Sequence, residues 1–146
     1  MFTQKELLVA PQYSSHVNCS VLWNMGADGK IERASPTETV MTMDYIGVED
    51  MYSMFDGWLH FDKVYFPNLV HIGARGLYGA FLSGFYATDP EVFFPELRFI
   101  GVDGLNECFA NYDGYAPPTV HFRADLSDEA KVEAQKCGSY NILYDL

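Results

Sequence analysis

The chain of 146 residues carries little positive charge. Nine Lys and Arg residues oppose twenty Asp and Glu residues, which gives a formal net charge of −11. A surface of this sign repels phosphate backbones, and this argues against direct binding of nucleic acid. The same charge suits a basic protein partner, although it also serves simple solubility.

Cysteine and long apolar runs are also scarce. The three cysteines, Cys19, Cys108 and Cys137, form no CxxC pair, so zinc or thioredoxin-type chemistry has no support. Their odd number favours reduced thiols and a reducing compartment. No run approaches the ~20 apolar residues of a membrane helix, and residues 1–12 lack the apolar core of a signal peptide. We therefore expect a cytoplasmic protein without a membrane span.

The strongest feature that is present is a repeated pattern. The stretch FDKVYFPNLVHIGARGLYGAF at residues 61–81 returns in altered form as PEVFFPELRFIGVDGLNECF at residues 90–109. The matching residues of the two copies are separated by one constant offset, the one that leads from Val64 to Val92. In the first copy these residues are Val64, Phe66, Pro67, Leu69, Ile72, Gly73, Gly76, Leu77 and Phe81. Stacked copies of such a unit bury a continuous core that one copy cannot bury alone.

Each copy predicts a strand, a bend and a short helical turn. Val64 and Phe66 alternate with Tyr65, which places the first two on an inner face and Tyr65 on the outer face. Gly73 predicts a left-handed bend, because glycine has no Cβ to clash there. Residues 76–81 predict a short helical turn with its apolar side chains on one side.

Two weaker copies flank this pair. Upstream, Ile46-Gly47 precedes Ile72-Gly73 at a slightly shorter offset. Downstream, Val120-His121-Phe122 follows Val92-Phe93-Phe94 at the same offset that relates the two clear copies. The array therefore has roughly three and a half units, and its terminal copies are atypical because they cap the stack.

The N-terminal residues 1–36 contain no copy. The segments VNCSVLW and KIERA flank Asp28-Gly29, a dipeptide that readily adopts the positive φ angles of tight turns. We therefore predict a β-hairpin from Val17 to Arg33 that covers one end of the array.

The C-terminal residues predict a helix followed by a strand. Ser127 can cap the helix N-terminus, with Asp128 and Glu129 in its first turn. Lys136 is placed in the last turn and Gly138 at the C′ position. Tyr140 to Tyr144 is predicted to form the last strand.

The pattern V-x-F-P-x-L-x-x-I-G-x-x-G-L-x-x-x-F resembles the BspA-like (Treponema pallidum type) leucine-rich repeat. The ending TVHFRADLSDEAKVEAQ…NILYDL is similar to the closing segment of such arrays in gut bacteria and their phages. The resemblance covers about residues 38–146 and implies an α/β repeat fold, a short right-handed solenoid with a parallel sheet and short helical turns. It also implies a non-catalytic role in adhesion or recognition. We expect residues 1–36 to form a hairpin cap, and residues 37–146 to form the solenoid with its helix–strand cap.

No motif predicts catalysis. His121, Arg123 and Asp125 alternate, so they could share one strand face as an acid–base group, which would require a cleft. The pattern is more typical of a solvated strand edge. Ser14-Ser15-His16 lacks the glycines of a nucleophile elbow.

No motif predicts a metal site or another cofactor. His60, Asp62 and His71 do not follow the spacing of known zinc motifs. The stretch Gly26-x-x-Gly29-Lys30 is too short for a phosphate-binding loop.

The repeat register predicts an interaction surface instead. If the strands stack in register, Tyr65, Phe93 and His121 form one outward column, and Lys63 lies beside Glu91 in a second column. Exposed aromatic columns are typical of recognition surfaces. In the alternative, the N-terminal hairpin folds across this face and buries it.

The sequence thus predicts a non-enzymatic protein–protein interaction module of leucine-rich-repeat type. An alternative is a small acidic inhibitor, encoded by a phage or mobile element, that blocks a basic nucleic-acid-binding host defence protein. Acidic residues gathered in one band would favour the inhibitor, whereas an even scatter would favour the general module. Open strand edges favour self-association as well.

Overall fold

The computed structural model describes residues 23–25, 31–33, 38–41, 43–55, 61–85, 88–112 and 114–146. The strands and the helix of this part of the chain are β1 Trp23–Met25, β2 Ile31–Arg33, β3 Glu38–Val40, β4 Tyr45–Ile46, β5 Lys63–Tyr65, β6 His71–Ile72, β7 Glu91–Phe94, β8 Phe99–Ile100, β9 Thr119–Phe122, α1 Asp128–Ala134 and β10 Ile142–Tyr144.

In the described part of the chain, two parallel sheets and one helix make an α/β fold. The larger sheet has the strand order β10-β9-β7-β5-β3, and the smaller sheet has the order β4-β6-β8. Neighbouring strands are parallel in both sheets. No helix of the described residues is long and apolar enough to span a membrane.

The strand register follows the spacing of the sequence pattern. In the larger sheet Val64 pairs with Val92, and Val92 pairs with Val120, so the two steps along the chain are equal. In the smaller sheet Ile72 pairs with Ile46 on one side and with Ile100 on the other. The predicted alignment of these residues is confirmed.

The two sheets contribute side chains to a single hydrophobic core. Phe66 stacks on Phe94 with ring centroids 4.7 Å apart, and Phe94 stacks on Phe122 at 5.4 Å. These three side chains are fully buried, as are Ile46 and Ile72 of the smaller sheet. Strand alternation explains the pattern, because every second residue points to the same face.

The predicted helical turn at residues 76–81 is wrong. Residues 74–83 form a series of overlapping turns, in which the N–H of Gly76 donates to the carbonyl of Gly73. Every second N–H group of this segment instead donates a hydrogen bond to a neighbouring segment. The N–H of Leu77, for example, donates to the carbonyl of Gly104 at 2.8 Å. An α-helix uses its N–H groups within one segment, so bonding to the neighbouring segment excludes it here.

The predicted left-handed bend at Gly73 is also wrong. Positive φ angles occur instead at Arg75, Gly79 and Ser83, with values of 54°, 59° and 52°. Gly73 is required for a different reason, since a Cβ atom there would lie 2.7 Å from the carbonyl carbon of Gly47. The absence of a side chain lets the two backbones approach.

The C-terminal helix begins as predicted and ends earlier. The hydroxyl of Ser127 accepts a hydrogen bond from the N–H of Ala130, which caps the helix N-terminus. The helix ends at Ala134, so Lys136 and Gly138 lie beyond it. The N–H of Lys136 donates to the carbonyl of Glu133, and this tightens the chain into turns. Strand β10 follows, shorter than predicted, and pairs with β9.

Near the N-terminus, β1 and β2 form an antiparallel pair in which Asn24 lies opposite Glu32. The predicted turn at Asp28-Gly29 lies outside the described residues. The role of residues 1–36 as a cap stays a prediction.

Candidate interaction surface

The predicted aromatic column is present on the outer face of the larger sheet. Tyr65 stacks on Phe93 with ring centroids 4.8 Å apart and ring planes 6° apart. Phe93 stacks on His121 at 4.5 Å and 5°. The parallel register places these residues side by side on neighbouring strands. The distance between ring centroids is therefore close to the distance between neighbouring strands. We call these three residues the Tyr65 ladder.

A chain of charged groups runs beside the Tyr65 ladder. Lys63 Nζ lies 3.7 Å from Glu91 Oε1, which is the predicted cross-strand ion pair. The other oxygen of Glu91 lies 2.8 Å from Nε2 of His121. Nδ1 of His121 lies 2.9 Å from Asp145 Oδ1, so the ring bridges two carboxylates.

The Tyr65 ladder is only partly exposed. His121 is only 9% exposed, while Tyr65 and Phe93 are half-buried. His121 is buried because Phe93 covers one ring face, carboxylates lie at both nitrogens, and β10 lies beside it. The ring serves the structure of the sheet as much as it presents a surface.

A second aromatic column, which the sequence reasoning missed, lies on the smaller sheet. Tyr45 stacks on His71 with centroids 4.6 Å apart, and His71 stacks on Phe99 at 4.4 Å. Tyr45 is 38% exposed and Phe99 is 52% exposed, so this column is open to solvent. The sequence contains a signal for this column, because each of the three aromatic residues directly precedes the isoleucine of an Ile-Gly pair. We call these three residues the Phe99 ladder.

The turn segment beside the smaller sheet carries a shorter stack. Tyr52 stacks on Tyr78 with centroids 5.0 Å apart and planes 11° apart. Tyr52 and Tyr78 therefore add a further pair of stacked rings on this side of the molecule.

The suggested acid–base group is not assembled. Arg123 forms a two-bond ion pair with Asp125, through Nε at 2.7 Å and Nη2 at 2.8 Å. The hydrogen bond from Arg123 lowers the pKa of the Asp125 carboxyl. His121 bonds Glu91 and Asp145 instead. Strand β9 ends at Phe122, so the strand alternation that would place the three on one face stops before Arg123.

The metal interpretation gains no support from the described residues. They contain no group of three or more His, Cys, Asp or Glu side chains arranged to hold a metal ion. His71 stacks between two aromatic rings, whereas His60 and Ser14-Ser15-His16 lie outside the described residues.

The described cysteines are buried. Burial raises the pKa of Cys137 to about 11 and raises that of Cys108 well above its usual value. Since the thiolate is the nucleophile, neither group is suited to chemistry near neutral pH. Cys19 lies outside the described residues.

Comparisons of the chain with models of protein families, with curated proteins and with solved structures found no match.

Proposed function

We propose that the protein is a non-enzymatic protein–protein interaction module of leucine-rich-repeat type. The regular step between paired strands and the stacked turn segments support a short solenoid with a C-terminal helix–strand cap. We take this solenoid to be right-handed, as the resemblance implies. Each parallel sheet has one face that points away from the core.

The outward aromatic ladders carry the proposal. Both parallel sheets direct a stack of rings away from the core, where a purely structural surface would carry polar side chains. Large apolar side chains grouped on a surface mark interaction sites more often than single exposed ones do. Aromatic residues are also enriched among the residues that dominate binding energy.

The distribution of acidic residues favours the general module over the acidic inhibitor. Some carboxylates lie beside the smaller sheet and in its turns, such as Asp44 and Glu107, whereas others lie on the larger sheet at Glu91 and on the helix at Asp128 and Glu129. They are scattered over several faces of the described residues. A mimic of nucleic acid would instead align its charges along one face.

The proposal is tested by affinity capture from a lysate of the native host, with mass spectrometry of the bound proteins. Two variants remove one ladder each, Tyr65→Ala/Phe93→Ala and Tyr45→Ala/Phe99→Ala. Val132→Ala is the control, because Val132 is an exposed apolar residue on α1 and belongs to neither ladder.

We expect one ladder variant to lose a specific partner that the wild type and the control retain. A partner that both ladder variants retain would contradict the proposal, as would a wild type that captures none. A captured basic, nucleic-acid-binding protein would shift the assignment to the inhibitor.

A further inference from the structure

Exposed apolar side chains are concentrated on one face of the described residues. Of the twelve large hydrophobic side chains that are exposed there, six lie on the smaller sheet or on the turns that adjoin it. These six are Tyr45, Val48, Tyr52, Val70, Phe99 and Val102. We call them, with the half-buried His71 and Tyr78, the apolar face.

Backbone hydrogen bonds hold the segments that carry these side chains next to one another. The N–H of Glu49 donates to Ala74, and the N–H of Arg75 donates to Val102, which aligns Val48 and Val102 on either side of Ala74. The Phe99 ladder lies three residues before this row in each segment, and the Tyr52–Tyr78 stack lies four residues after it. The face therefore extends across the smaller sheet and its turns.

Ring orientation decides which groups the apolar face accepts. In the Phe99 ladder the rings turn their faces to one another, so their edges point to solvent. Ring edges carry partial positive charge and pack well against aliphatic groups or the faces of other rings. The centre of the surface therefore suits bulky apolar side chains.

The rim of the apolar face is acidic. Residues 41–55 contain Asp44, Glu49 and the buried Asp50, and no Lys or Arg. On the neighbouring segments, Asp103 and Glu107 lie in the turns that follow Val102.

Among the described residues, cations near this face include Arg75, Arg98 and Lys136, and each lies near carboxylates. Lys136 Nζ lies 3.2 Å from Asp103 Oδ1. Arg75 forms an ion pair with Glu49, and Arg98 lies close enough to Asp125 to help lower the pKa of that carboxyl. With a chain charge of −11, the rim attracts positive charge.

The apolar face is small compared with a protein–protein interface. Stable interfaces bury about 800 Å² on each partner, from roughly 20–30 residues, whereas the apolar face has eight residues. A second copy of the chain would also bring another −11 charge to the contact. Both considerations favour a short cationic segment over a second copy.

We propose that the apolar face binds a linear segment of a partner protein in which bulky apolar residues are interspersed with Lys or Arg. This inference rests on the proposed function and names the surface and the partner chemistry. The apolar side chains pack on the ring edges and on the Val48–Val102 row, while the cations lie beside the acidic rim.

The test uses fluorescence anisotropy with two labelled synthetic peptides on the full chain. In one peptide Lys alternates with Phe and Leu, and in the other Glu replaces every Lys. Phe99→Ser and Val102→Lys alter the apolar face, and the control Leu143→Ser alters an exposed apolar residue of β10 in the larger sheet. Because Phe99 and Val102 are more than half exposed, their variants retain the core, and circular dichroism checks this.

We expect the Lys peptide to bind and the Glu peptide to bind at least about tenfold more weakly. Phe99→Ser and Val102→Lys should each weaken Lys-peptide binding about tenfold, which corresponds to ~1.4 kcal/mol. The control should bind like the wild type. Equal weakening by all three variants, equal binding of both peptides, or no binding by the wild type would overturn the inference.

Two further outcomes separate this inference from the proposed function. If the Phe99→Ser and Val102→Lys variants both capture the same partner from lysate as the wild type, the inference is overturned. The proposed function as an interaction module would still hold. A dimer detected by light scattering and abolished by Val102→Lys would show that a second copy occupies the face, and this too would overturn it.

Discussion

Nε2 of His121 lies 2.8 Å from Oε2 of Glu91, across the boundary between β9 and β7. On the other side of the ring, Nδ1 faces Asp145 at the end of the chain. The imidazole thus lies between two carboxylates from different parts of the chain. The ring thereby ties the C-terminal residues to two strands of the larger sheet.

Replacing the ring with a purely apolar one should weaken this tie. The variant His121→Phe keeps the stack on Phe93 but leaves Glu91 and Asp145 without their donor. We expect the free energy of unfolding to fall by about 1–2 kcal/mol, measured by urea denaturation. Asp44→Asn, at an exposed carboxylate, is the control and should change it by less than about 0.5 kcal/mol. An unchanged or more stable His121→Phe would contradict the prediction.

The contact between Tyr65 and Phe93 should be measurable as a coupling energy. Stacked aromatic pairs contribute about 0.5–1.5 kcal/mol beyond their buried area. A double-mutant cycle with Tyr65→Ala and Phe93→Ala should give a coupling in this range. Tyr65→Ala combined with Phe99→Ala, on the other sheet, serves as the matched comparison and should be additive. Additivity in the first cycle would show that the stacked rings do not interact.

The close backbone approach at Gly101 predicts a large cost for any side chain. A Cβ atom there would lie 2.5 Å from the backbone nitrogen of Ala74, and backbone cannot move aside as a flexible side chain can. We expect Gly101→Ala to lower the free energy of unfolding by about 1–3 kcal/mol or more.

The matched control for Gly101 is Gly114→Ala. Gly114 has φ of 85° but no atom within 4 Å of the added Cβ, so only backbone strain opposes the change. We expect a cost of about 1 kcal/mol. If thermal unfolding ranked Gly114→Ala as the more harmful change, close packing would not be the reason for Gly101.

The buried thiols predict a loss of stability at alkaline pH. The pKa of Cys137 is raised from 9.0 to about 11 in the folded protein, chiefly by burial. Between these values the unfolded chain loses the proton while the folded chain keeps it, so stability is complete below about pH 9 and falls as pH rises towards 11. One pKa unit corresponds to about 1.4 kcal/mol, so Cys137 accounts for roughly 2–3 kcal/mol.

Urea denaturation under reducing conditions, at a series of pH values above about 8, measures this slope. The variant Cys137→Ala should show a shallower decline than the wild type, because the remaining groups titrate in both proteins. Identical slopes would mean that the Cys137 thiol ionises equally well in the folded and unfolded states.

The sequence alone was a good guide to the strands and a poor guide to the turns. Val64, Val92 and Val120 could be aligned because strand alternation and a constant spacing are local properties that sequence records directly. Ser127 could be identified as a cap because its hydrogen bond reaches only three residues along the chain. The conformation of residues 76–81 escaped prediction because it depends on carbonyls of a neighbouring segment, such as that of Gly104 for Leu77.

The candidate surface divides in the same way. The amino-acid sequence by itself determined the register of the parallel strands, the buried phenylalanines and the order of Tyr65, Phe93 and His121 along the larger sheet. Only the tertiary structure decided that His121 is buried between Glu91 and Asp145, and that Tyr45, His71 and Phe99 form the more exposed ladder. The physical reason is that exposure and ion pairing depend on which distant segments meet, whereas register and inward alternation follow from the period of one strand.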